Sequence, residues 1–134
     1  MKVILNAQAI QSINFFQSLT GSAVVDCLTE EDEMYFVVGA GQYGLSVGKG
    51  GEKIKRAEHM FKKSIRIIEY SPDVKQFIKN VIPEAQEIVV KDDGIEVHVR
   101  QQDRAKVIGR GGKKIKIINR FLERLFDAGS VKVK

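Results

Sequence analysis

The chain has 134 residues, 43% of them hydrophobic and 29% charged, with a formal net charge of +5. Those proportions describe a soluble globular protein with a modest core and exclude a long disordered tract. No stretch approaches the roughly 18 apolar residues of a membrane span and Val3-Ile4-Leu5 is too short for a signal-peptide core, so a cytoplasmic protein with no membrane partner is expected.

Ala9, Ile10, Ile13, Phe16 and Leu19 share one face of a predicted helix that stops at Gly21. Two strands follow, at about 23–29 and 34–38, in which Met34, Phe36 and Val38 alternate as in a half-buried strand. Cys27 has no second thiol and no clustered histidine, so a small buried apolar residue is expected there. The acids between the strands, Glu30-Glu31-Asp32-Glu33, read as a solvated hairpin turn rather than a cation site, with a protein-contact patch as the remaining alternative. A short helix over about 41–47 runs into Gly48-Lys49-Gly50-Gly51. A longer one continues to about Lys63 with Ile54, Ala57 and Met60/Phe61 inward, and Ser64 to Glu69 is a strand.

Ser71-Pro72-Asp73 then opens a helix, with proline expected at its first position and Val74, Phe77 and Ile78 as its stripe. Strands at about 86–91 and 95–100 flank Asp92-Asp93-Gly94, whose Asp-Gly pair signals a hairpin turn. A helix over about 101–108 leads into Gly109-Arg110-Gly111-Gly112. The next places Ile115, Ile118, Phe121, Leu122 and Leu125 on one face, and Val131 and Val133 end in a strand.

The order repeats because the sequence does. VGKGGEKIK (47–55) laid over IGRGGKKIK (108–116) matches at six of nine positions with an offset of 61 residues. The same offset carries Met34, Phe36 and Val38 onto Ile95, Val97 and Val99, so two domains are expected, 1–71 and 72–134. Units of that size bury too little surface to be very stable alone and are expected to pack together.

Charge follows the repeat. Residues 1–47 hold one base and five acids, residues 48–66 seven bases and two acids, and residues 104–124 eight bases and one acid. Two basic blocks, each beginning beside a glycine loop, are the footprint expected for a polyanion, whereas one alone is as well read as a solvated face.

Gly39-x-Gly41-x-x-Gly44, with Glu69 beyond it, competes as a dinucleotide fingerprint, but its counterparts in the second copy are Arg100, Gln102 and Ala105. A phosphate-binding P-loop fails too, because Gly50 follows Lys49 where Ser or Thr is required. The repeated Gly-x-x-Gly is the stronger signal. Absent side chains there let a sugar-phosphate chain approach main-chain N–H groups, and the following helix points its positive end at the phosphate. The bland alternative is a tight helix-helix turn with glycine for geometry alone.

Val107-Ile108-Gly109-Arg110-Gly111-Gly112-Lys113-Lys114-Ile115 resembles the VIGxxGxxI signature of KH domains, and Val47 to Ile54 is a second example. The resemblance covers the whole chain. It implies an α+β fold of two tandem type II KH domains, α-β-β-α-α-β each, in the archaeal form of the NusA-like transcription factor family. It also implies a single-stranded RNA partner in transcription elongation, termination or antitermination, with RNA polymerase or other transcription factors as further candidates. Bacterial members add a polymerase-binding region and an OB-fold domain that these residues do not resemble, which leaves polymerase contact open.

On that resemblance, the RNA-binding residues are Gly48, Lys49, Gly50, Gly51, Lys53 and Lys55 in the first copy. In the second they are Gly109, Arg110, Gly111, Gly112, Lys113, Lys114 and Lys116. Val47, Ile54, Ile108 and Ile115 are candidates for the base groove or equally for the core. With few aromatic platforms expected, sequence selectivity should be modest. A ribosome-associated or RNA-processing KH factor would use the same surface. His59 and His98 are expected to face solvent, and no nucleophile and base pair up, so no enzyme, cofactor or metal is expected.

Overall fold

A computed structural model describes residues 5–134, which divide into two compact units, 5–71 and Pro72–Lys134.

The first unit starts with α1 (Ala7–Thr20), which Asn6 caps by accepting the Ala9 amide at 2.8 Å and which Gly21 ends in the left-handed region at φ 76°. Strands β1 (Val24–Thr29) and β2 (Glu33–Val38) pair antiparallel, and β3 (Ser64–Glu69) joins β2 in parallel, so β2 is central. Between β2 and β3 lie α2 (Tyr43–Val47), a tight turn over Lys49–Gly51 and α3 (Glu52–Phe61).

Apolar periodicity explains which faces meet. Ile13 and Phe16 of α1, Met34, Phe36 and Val38 of β2, and Ala57 of α3 form one buried cluster with Cys27 and Ile65. Phe16 stacks on Phe36 with ring centroids 4.1 Å apart. Two expected inward residues turn out otherwise, since Ile10 and Met60 lie exposed at the margins of their helical stripes. β2 differs too: Tyr35 and Val37, on the opposite face from Met34 and Phe36, are also buried. The acidic turn is held through its backbone, because the Lys63 ammonium donates to the carbonyl oxygens of Glu30 and Glu31.

The second unit repeats this order with α4 (Val74–Val81), β4 (Glu87–Lys91), β5 (Gly94–His98), α5 (Arg104–Ile108), α6 (Lys113–Phe126) and β6 (Val131–Val133). β5 is again central, antiparallel to β4 and parallel to β6. Asp73 is the N-cap of α4, accepting the Lys75 amide at 3.1 Å, so Pro72 precedes the cap instead of opening the helix. The hairpin turn is Asp92-Asp93, because Gly94 already pairs with Lys91 and lies against the Ser130 carbonyl, where a Cβ would come within 2.9 Å. On α6 the buried stripe is Ile117, Ile118, Phe121, Leu122 and Leu125, with Ile115 only half-buried.

Candidate nucleic-acid interface

Each glycine loop joins a five-residue helix to a longer one, and the two have the same backbone. Gly48 and Gly109 have φ/ψ of 77°/172° and 81°/166°, Gly50 and Gly111 of 63°/20° and 62°/20°, and Gly51 and Gly112 of 77°/17° and 75°/14°. All six lie at positive φ, where L side chains are rare.

The glycines do different work. A Cβ on Gly48 would stand 2.7 Å from Lys53 Cγ and 3.0 Å from its amide nitrogen; one on Gly109 would stand 2.8 Å from Lys114 Cβ and from its amide nitrogen. The first glycine therefore lets the chain fold back against the start of the next helix. Around Gly50 and Gly111 a Cβ would meet nothing within 4 Å, so these positions face open space. The first amides of a helix have no acceptor within it, and here they are approached past bare main chain.

Matched positions carry matched cations. Lys49 and Arg110 at the loop centres, and Lys55 and Lys116 one turn into α3 and α6, are exposed. Lys53 and Lys114, also equivalent, are half-buried with their stems behind the first glycine, and Lys53 donates to the Thr20 carbonyl at 2.8 Å, tying its loop to α1. Lys113 is half-buried and takes the place that Glu52 holds in the first loop, where Glu52 pairs with Arg56 at 3.5 Å. The Lys106 ammonium, 2.9 Å from Glu84, holds that carboxyl below its ordinary value, so the pair is ionised at neutral pH.

Val47, Ile54, Ile108 and Ile115 are all half-buried. The fully buried residues of the short helices are their neighbours Ser46 and Val107. Tyr43, exposed on α2, was not singled out in the sequence; its position four residues before Val47 was the available signal.

The dinucleotide alternative does not fit this geometry. α2 is five residues long, and the Glu69 carboxylate accepts the Tyr43 amide at its N-terminus, at 3.4 Å, where a pyrophosphate would have to lie. Among the described residues no group of three or more His, Cys, Asp or Glu could hold a metal ion, and no helix is long and apolar enough to cross a membrane. His59 is exposed; His98 is half-buried, its Nε2 3.5 Å from Glu96 and 3.8 Å from Glu87.

The KH-domain profile matches residues 12–85, a span that contains the first glycine loop and runs on through α4. The chain belongs to the KH-domain family. This KH protein is close to the archaeal NusA proteins. It is 37% identical to the probable transcription termination protein NusA of Methanococcus vannielii, across 99% of this chain and 80% of the relative. It is 33% identical to the protein of the same name from Methanocaldococcus jannaschii, across 98% and 75%. With that of Halococcus morrhuae the identity is 28% across 99% of both. The crystal structure of APE1850 superposes with a TM-score of 0.79 at 27% identity, covering 97% of the KH protein and all of that chain.

Proposed function

We infer that the chain is two tandem type II KH domains, residues 1–71 and 72–134, which together hold an extended single-stranded RNA in transcription elongation, termination or antitermination. It is read as a cytoplasmic binding protein that performs no catalytic step. The observation that carries this reading is the pair of loops with matching backbone dihedral angles, each open at its third position and flanked by exposed cations at equivalent sites. The name shared by the relatives favours the transcription setting over a ribosomal or RNA-processing one.

In this reading Gly50 and Gly111 admit the backbone of about four nucleotides per loop. Lys49, Lys55, Arg110 and Lys116 neutralise phosphates, with Lys113 beside them. Gly48, Gly109, Lys53 and Lys114 hold the loops in shape. Gly51 and Gly112 start the following helices, and Val47, Ile54, Ile108 and Ile115 meet the bases.

Titration of a labelled single-stranded RNA at several salt concentrations tests the assignment. Four phosphates neutralised on a single strand give a slope of log K against log salt of about −3, at about −0.7 each. Affinity independent of salt, or equal affinity for duplex DNA, would rule the reading out.

A further inference from the structure

We propose that Tyr43 is a stacking platform for an unpaired base of the strand held at the first glycine loop, a contact for which the second loop offers Arg104 instead. The proposal rests on the reading of the loops as RNA clamps and adds how the first of them holds a base.

The three tyrosines have separate environments. Tyr35 is buried, its hydroxyl donating to Glu33 Oε2 at 3.2 Å; Tyr70 is half-buried; Tyr43 is 49% exposed. A single exposed aromatic needs no explanation in general. This one stands four residues before Val47, hence on the same face of α2 as the half-buried residue that leads into Gly48. A strand leaving the clamp over Val47 runs onto the ring. Leu45, 43% exposed on the same helix, is two residues from each of them and so turns to a different face.

The second unit keeps the backbone and changes the chemistry. Sixty-one residues on, Tyr43 and Leu45 become Arg104 and Lys106, and Lys106 is engaged by Glu84 at 2.9 Å. Loops that are twins in dihedral angle thus differ on the face that leads into them, with the Tyr43 ring in one unit and the half-buried Arg104 in the other. Every base has a π-face, so stacking on Tyr43 adds affinity without demanding one base.

The test uses the full chain with ten-nucleotide single-stranded RNAs, U10 and A10. Tyr43→Ser should weaken binding about 5- to 100-fold, the range for loss of one base stack, with the salt slope unchanged. Tyr43→Phe should bind within about 2-fold of wild type, because the ring makes the contact. The chain has no tryptophan, so its emission is tyrosine emission, and RNA should quench it in the wild type but not in Tyr43→Phe. If Tyr43→Ser binds like wild type, or the quench survives in Tyr43→Phe, while Gly50→Asp still weakens binding, the stacking proposal is wrong and the clamp stands. A wild-type chain that binds neither RNA overturns both.

Discussion

Replacing Gly50 and Gly111 together by aspartate is expected to weaken single-stranded RNA binding by about 100-fold or more and to leave the far-UV circular dichroism nearly unchanged. Each substitution puts a carboxylate where the loop would meet a phosphate. Two like charges about 5 Å apart repel by ~1 kcal/mol in water and ~3 kcal/mol at an effective dielectric of 20, and two loops double the effect. The fold tolerates the change because both positions face open space at φ 63° and 62°, ψ 20°, in the left-handed region that Asp and Asn visit most readily after glycine. Gly50→Asn with Gly111→Asn is the matched control, the same conformation without charge, and should retain most of the affinity. Fluorescence anisotropy of a labelled RNA measures both variants; a double-aspartate protein that binds like wild type removes the loops from the interface.

The opposite outcome is expected at the first glycine of each loop. Gly48→Ala or Gly109→Ala should destabilise its unit by ~2–6 kcal/mol, from ~1–3 for a side chain in a backbone region that only glycine occupies and ~1–3 for overpacking. The new methyl would be driven to 2.7 Å from Lys53 Cγ in one case and 2.8 Å from the Lys114 amide in the other, and neither atom lies at the free end of a flexible chain. Calorimetry should show the affected transition falling by at least about 8 °C, since each kcal/mol moves a unit of this size by ~4–8 °C. Gly50→Ala should cost only the ~1–2 kcal/mol of the left-handed conformation. A Gly109→Ala melt within a degree or two of wild type would mean that the loop can relax and that its first glycine is not conformational.

These contrasting roles were not visible in the string of letters. The repeat of VGKGGEKIK as IGRGGKKIK was enough to place both loops, and the 61-residue offset carried the helix-strand-strand-helix-helix-strand order from one half to the other. Strand β3 was legible to its ends, from Ser64 to Glu69. What periodicity could not say is how wide each helical stripe is. Ile10 and Met60 sit at stripe margins and are exposed, while Ile117, outside the expected stripe, is buried in α6. Local propensity also misplaced two turn features. Pro72 was read as a first helical residue although Asp73 behind it has the capping side chain, and Gly94 as part of a turn although it is spent on a close approach to Ser130.

At the candidate site, residue type located the charge but not its use. Lys53 and Lys55 look alike in sequence, two residues apart after the same loop. On a helix that spacing turns them to different faces, so Lys53 reaches back to the Thr20 carbonyl while Lys55 stays exposed. Tyr43 escaped for a related reason: its exposure depends on how α2 lies on its sheet, which the five letters of that helix do not encode.

The central claim, that bare main chain at two equivalent loops receives a nucleic-acid strand, is tested most directly by following backbone amides during titration with an RNA long enough to span both. Shifts at Lys49 to Gly51 and at Arg110 to Gly112, with little change along β1 and β4, are the expected result. An RNA that moves amides elsewhere and leaves both loops still would contradict it.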